Sequence, residues 1–119
     1  MKRAQRLRKA AEFQRVRARR RSWAHPLLVL YAAENGTEVT RVGIVAGRWV
    51  GNAVTRNRVK RRVREAIRER YDQLVSGYDL VWVARPGLAA ADQATLVAAV
   101  EQLLRRARLL RERRTTTVE

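Results

Sequence analysis

Apolar residues recur every three or four positions in some stretches and alternate in others, and that pattern predicts the elements. Leu7, Ala10, Phe13 and Val16 predict a short amphipathic helix over roughly residues 9–18. Residues 26–34 are apolar on both faces, with Val29 and Tyr31 opposing Leu28 and Leu30, as in a strand covered on both sides. Asn35-Gly36 is a hairpin signal, because both residues reach positive φ. It predicts residues 39–47 as the partner strand, with Val42 and Ile44 alternating against Gly43 and Val45. Val59, Val63, Ala66, Ile67 and Leu74 then follow helical spacing behind Asn52 and Thr55, whose side chains suit an N-cap. This long helix is expected to end near Leu74 to Ser76, with Gly77 as its stop. Tyr78 to Ala84 reads as a third strand, bounded by Arg85-Pro86-Gly87. Asp92 caps a last helix with the stripe Leu96, Val97, Val100, Leu103, Leu104 and Ala107. The expected order is α-β-β-α-β-α, a two-layer α+β sandwich. It forms a single domain over residues 1–119, with the basic segment 1–9 and the tail 111–119 expected to be flexible.

Charge changes the reading of the long helix. Residues 51–70 carry eight basic side chains against Glu65 and Glu69. At about 100° per residue, Asn57, Arg61, Arg64 and Arg68 fall together opposite the apolar stripe. Arg58, Arg62, Glu65 and Glu69 form a mixed-sign stripe, where Arg62 and Glu65, or Glu65 and Arg68, can pair. Like charges one turn apart repel, and a polyanion relieves that repulsion, so the basic face reads as a binding face rather than a merely solvated one. The net charge of +16 and pI of about 11.8 agree, with nucleic acid the first partner and an anionic membrane surface the second. Only three of the 27 basic residues are Lys. Arginine forms forked bonds to phosphate and stacks on bases, although genomic base composition can produce the same bias.

Little in the chain suggests catalysis. Cysteine is absent, which excludes disulfides and thiolate chemistry. The eleven acids are scattered with no DxD or ExxxD cluster to hold metal ions, His25 stands alone before Pro26, and no Walker-type phosphate loop is present. Gly43, Gly47 and Gly51 read as turn and close-packing positions. No catalytic residue and no metal ligand is expected. The basic N-terminus lacks the apolar run of a secretory signal, and no stretch approaches a membrane span, so the expected location is cytoplasmic with no membrane partner.

Gly51-Asn52-Ala53-Val54-Thr55-Arg56-Asn57-Arg58-Val59-Lys60-Arg61 closely resembles the arginine-asparagine-arginine signature of the bacterial ribonuclease P protein subunit. Leu7-Arg8 with Phe13 and Val16, Leu28-Val29-Leu30-Tyr31, Arg41-Val42-Gly43-Ile44, and Gly77-Tyr78-Asp79 followed by Val81, Val83, Ala84 and Arg85 are similar to that family's pattern, so the resemblance covers nearly the whole chain. It implies a βαβ crossover of the rare left hand, against the usual rule. It implies a ribonucleoprotein that removes the 5′ leader of precursor tRNA by endonucleolytic cleavage, with catalysis by a large RNA and Mg²⁺, bound mainly by that RNA, as cofactor. The implied partners are this catalytic RNA and precursor tRNA. On matching positions, Phe13, Arg17, Val29 and Tyr31 line a leader-binding cleft between the first helix and the sheet, reached from the long helix by Asn57 and Arg61. Arg56, Asn57, Arg58, Lys60, Arg61, Arg64 and Arg68 form the implied RNA-binding set. The chain departs from the family at Arg17, where an aromatic is frequent, and at Arg20, where Gly is usual. It also departs at Gly47-Arg48-Trp49, where a serine and lysines are common; Trp49 cannot pair with phosphate but can stack on a base. A ribosomal protein or RNA chaperone would share the charge and the sandwich but not the ordered signature. A protein-only ribonuclease would need the missing carboxylate cluster.

Overall fold

Strand alternation sorts the side chains of one sheet onto two faces, and each face acquires its own core. The computed structural model describes residues 1–111. Its elements are α1 (Ala10–Ala18), β1 (Ser22–Ala24), β2 (Leu28–Glu34), β3 (Arg41–Val45), α2 (Ala53–Arg68), β4 (Tyr78–Ala84) and α3 (Gln93–Arg106), with short 3-10 turns between several of them. The four-stranded sheet has the order β1-β2-β4-β3. β2 is antiparallel to β1 and to β4, while β3 and β4 are parallel and joined through α2, giving an α+β fold with a βαβ crossover.

The expected pairing of residues 26–34 with 39–47 does not occur. Gly36 does turn the chain at φ 73°, but β4 lies between β2 and β3. The reason is burial: Leu80, Val81, Trp82 and Ala84 are all fully buried, so the strand that buries most of its length takes a central place, where both of its faces are covered. β1 is a further strand that the apolar pattern does not predict, because three residues are too few to show an alternation. The observed order is therefore α-β-β-β-α-β-α. Arg20, at φ 61°, turns the chain between α1 and β1 as a non-glycine residue in the left-handed region.

α2 starts as expected, with the Asn52 side chain, rather than Thr55's, acting as cap and accepting from Thr55 N at 2.9 Å. It ends at Arg68, short of the expected Leu74 to Ser76. Arg70 leaves helical geometry, and the Tyr71 hydroxyl donates to Thr40 O. Leu74 still reaches the core, but from extended backbone that bridges Leu110. Gly77 is the entry to β4 rather than the helix stop; at φ 88°, a Cβ there would lie 2.9 Å from Thr37 O. Asp92 caps α3, accepting from Thr95 N at 2.8 Å.

α2 and α3 cover one face, where Val59, Val63, Ile67, Leu96, Val100 and Leu103 pack on Leu28, Leu30, Leu80 and Trp82. Arg62 joins these helices instead of pairing with Glu65: its guanidinium donates to Gln93 Oε1 at 3.0 Å and to Ala91 O at 2.5 Å. Arg70 adds a bond of 2.9 Å to Glu101 Oε2. The smaller core on the other face holds Leu7, Val16, Ala33 and Val81 under α1. The N-terminal segment expected to be flexible is docked on the free edge of β3, where Leu7 N donates to Val42 O at 2.9 Å and Leu7 is 6% exposed. At the other end, Arg111 N donates to Gln73 O at 2.6 Å; residues 112–119 of the expected tail lie outside the described residues.

Ile67→Ala is expected to cost about 2–5 kcal/mol through the cavity it leaves. Arg62→Ala is expected to cost about 1–3 kcal/mol by stranding the Ala91 carbonyl. Denaturant titrations of both variants measure these losses.

Candidate nucleic-acid interface

Strand register lays out the α1 face as three successive rows. The first joins Ala33, Asp79 and Arg41; the second joins Ser22, Tyr31, Val81 and Gly43; the third joins Ala24, Val29, Val83 and Val45.

The first row is closed by charge. Asp79 is fully buried and accepts from Arg41 Nε at 2.9 Å, from a second Arg41 nitrogen at 2.7 Å, from Asn35 Nδ2 at 2.8 Å and from the Arg15 guanidinium. Burial pushes its carboxyl up, but Arg41, Asn35 and Arg15 outweigh burial and hold it below the ordinary aspartate range. Arg41 also donates to Glu12 at 3.0 Å. Glu12 in turn accepts from the backbone N–H groups of Arg8 and Lys9, which, with Arg41, lower its pKa. This network binds α1 to β3 and β4. The apolar pattern does not reveal it, although one acid inside an apolar strand is a signal for a buried, paired carboxylate.

The second row carries the aromatic groups. Phe13 projects from α1 onto Gly43, where an added Cβ would lie 2.4 Å from a ring carbon. Only glycine lets the ring settle that close to the strand. The Arg17 guanidinium lies over the Tyr31 ring at 5.2 Å from its centre, a cation–π arrangement. Phe13 and Tyr31 are both half-buried, so each packs at its base and keeps an accessible edge. The third row is an open apolar floor, with Val29, Val83 and Val45 half-buried and Ala24 exposed. The structure thus brings together Phe13, Arg17, Val29 and Tyr31.

Asn57 and Arg61 are exposed on α2, which packs on the opposite face of the sheet; among the described residues neither hydrogen-bonds to the α1-face group. Arg58 is exposed, while Arg56 and Lys60 are half-buried. Arg68 pairs with Glu65, so the expected acid-free face is interrupted there. Arg64 is half-buried beside Arg6, and burial together with the Arg6 charge lowers its pKa. Arg6, carried by the docked N-terminal segment, therefore extends the basic surface of α2, which sequence spacing does not reveal because it gives no sign that the segment docks. A separate open hollow of about 890 Å³, lined by Asp72, Gln73, Arg105 and Arg108 among others, contains none of these residues.

A family model described as Ribonuclease P matches residues 1–108. The chain belongs to the ribonuclease P protein family. It is 49% identical over 111 residues to the ribonuclease P protein component of Roseiflexus sp. (strain RS-1), covering 92% of this chain and 91% of that one. Among solved structures, it is similar to the Staphylococcus aureus RNase P protein with a TM-score of 0.82 at 28% identity, covering 89% of this chain and 97% of that one. The RNase P protein from Thermotoga maritima gives a TM-score of 0.77 at 31% identity, covering 85% and 96%. The resemblance read from the signature thus extends to the fold of the ribonuclease P proteins.

Asp79 and Glu12 have lowered folded pKa values, so the stability they contribute is present above the ordinary carboxylate range and is lost as pH falls through their folded values. Unfolding free energy is expected to fall on acidification below about pH 4. Asp79→Ala is expected to cost about 3 kcal/mol at neutral pH and to flatten this acid dependence. Denaturant titrations at neutral and acid pH measure both effects.

Proposed function

We propose that the α1 face holds the single-stranded 5′ leader of precursor tRNA while the basic surface of α2 and the N-terminal segment holds the catalytic RNA. The observation that carries this reading is the open apolar row beside Phe13 and the Arg17–Tyr31 stack, a surface with aromatic edges and cations but no base-specific polar array. Such a surface suits stacking and backbone tracking, as in sequence-tolerant single-strand binding. Membership of the family makes the chain the protein part of a ribonucleoprotein endonuclease that processes tRNA.

Arg56, Arg58, Lys60, Arg61, Arg64 and Arg68 neutralise phosphates where two RNAs approach each other, Asn57 adds a neutral hydrogen-bonding group, and Arg6 joins them. From α2, Asn57 and Arg61 reach the leader only if it bends around the β3 edge, so we assign them first to the catalytic RNA. The chain's carboxylates do not fit a Mg²⁺ site of their own: among the described residues no three His, Cys, Asp or Glu side chains come together, and Asp79 is saturated by two arginines. The reaction's Mg²⁺ is accordingly assigned mainly to RNA ligands. The protein's part is to fix the leader relative to the cleavage site. No helix among the described residues is long and apolar enough to cross a membrane, which agrees with an assignment to the cytoplasm beside the tRNA pool.

The purified chain with Mg²⁺ is expected to leave precursor tRNA intact and to support 5′ processing once the catalytic RNA is added. Cleavage by the chain alone would overturn the assignment. If six to ten phosphates are neutralised, RNA affinity is expected to fall by roughly 10³ to 10⁵ between 50 and 200 mM salt, on the scale of duplex DNA. Phe13→Ala and Tyr31→Ala are each expected to cost the holoenzyme about 1–3 kcal/mol in binding precursor tRNA and little in binding mature tRNA. Equal losses for both RNAs would make the rings purely structural.

A further inference from the structure

Two aromatic side chains rest against glycines of the same strand line. Phe13 rests on Gly43, and four residues further along Trp49 rests on Gly47, where an added Cβ would lie 2.1 Å from the indole. Both glycines face the α1 side. Val42 and Ala46 belong to the α2–α3 core, and the backbone at Gly47 is extended (φ −85°, ψ −174°), so alternation turns Gly47 to the same side as Gly43 and Val45. The Trp49 indole N–H donates to Ala84 O at 2.7 Å, one residue past the last β3–β4 pair, Val45 with Val83. Trp49 thus stands at the end of the open apolar floor.

Its side chain is fixed but not buried. Trp49 is 53% exposed, although its only polar group is satisfied by the sheet and its ring fills the space that Gly47 leaves empty. A core tryptophan would be covered, and one free on the surface would not be anchored at two points. The flanking residues with charge, Arg48 and Arg85, are both exposed and basic. A preorganised aromatic that follows Arg48 in the chain and bonds to the residue before Arg85 has exposed cations in its vicinity and offers stacking together with phosphate pairing, the combination that suits an unpaired nucleotide.

We infer that Trp49 is a second base-stacking platform, taking an unpaired RNA base at the far end of the leader path from Phe13. This rests on the leader reading of the α1 face. Four residues of strand span about 13 Å, which is about four nucleotides at the stacked rise of 3.4 Å. Trp49 therefore serves a base up to about four nucleotides from the one at Phe13, and it lengthens the stretch of leader that contributes to affinity.

The test uses the holoenzyme assembled with its catalytic RNA. Binding is measured for mature tRNA and for precursor tRNAs whose leaders are shortened one nucleotide at a time or carry single abasic positions. Trp49→Leu keeps apolar bulk without a stacking face, while Trp49→Phe keeps the face and loses the N–H bond. Trp49→Leu is expected to weaken binding of full-leader precursor by roughly 5- to 150-fold and to leave mature tRNA unchanged. Trp49→Phe is expected to retain most of the affinity. One abasic position is expected to weaken the wild type by a similar factor and Trp49→Leu no further. If Trp49→Leu binds every leader as the wild type does, or if the Leu and Phe variants lose equally, the platform is refuted and Trp49 only closes the sheet. If the wild type itself binds precursor and mature tRNA alike, the leader reading fails instead.

Discussion

The buried carboxylate of Asp79 is the point on which the α1 face depends. A lone charge inside an apolar strand would be strongly unfavourable, and only the convergence of Arg41, Arg15 and Asn35 makes it tolerable. Those partners come from a strand, a helix and a turn, so satisfying one oxygen pair also fixes three parts of the chain against β4. α1 is thereby fastened at one end of the sheet and reaches the apolar rows only as far as Phe13 and Arg17. The floor beyond it stays open because the attachment lies at the polar end.

That arrangement separates two tasks that a strongly cationic protein must reconcile. Repulsion among arginines disfavours compactness, yet the binding surface needs them. Part of the arginine set is used internally: Arg62 and Arg70 tie α2 to α3, and Arg41 closes the network on Asp79. Of the others, Arg58 and Arg61 on α2 are exposed, as is Arg6, and the proposed reading gives them to phosphate.

The helices were legible because the 3.6-residue period of Val59, Val63, Ala66 and Ile67, and of Leu96, Val100 and Leu103, coincides with a cap at Asn52 and at Asp92. Strand pairing was not legible. Asn35-Gly36 is a sound local turn signal, but the partner of β2 is decided by which strand buries most on both faces, a property of the whole sheet. Spacing alone carries α2 too far, because Leu74 keeps helical spacing while its backbone is already extended. At the site, Phe13, Arg17, Val29 and Tyr31 were reached through the family signature rather than through periodicity. The closeness of Phe13 to Gly43 and of Trp49 to Gly47 depends on contacts across the chain, which spacing alone does not encode.

The central position of β4 also governs the order in which this chain can fold during synthesis. β2 and β3 are complete by Val45, but neither can pair with β4, the strand that joins them, until residues 78–84 exist. Before then the only available ribbon is β1 with β2, and an isolated two-stranded ribbon is marginal in water. Pairing β2 with β4 closes a loop that contains β3 and the whole of α2, a non-local step of the kind that slows folding. A nascent chain that stops at Gly77 therefore carries the signature helix and most of its arginines with no sheet to support them.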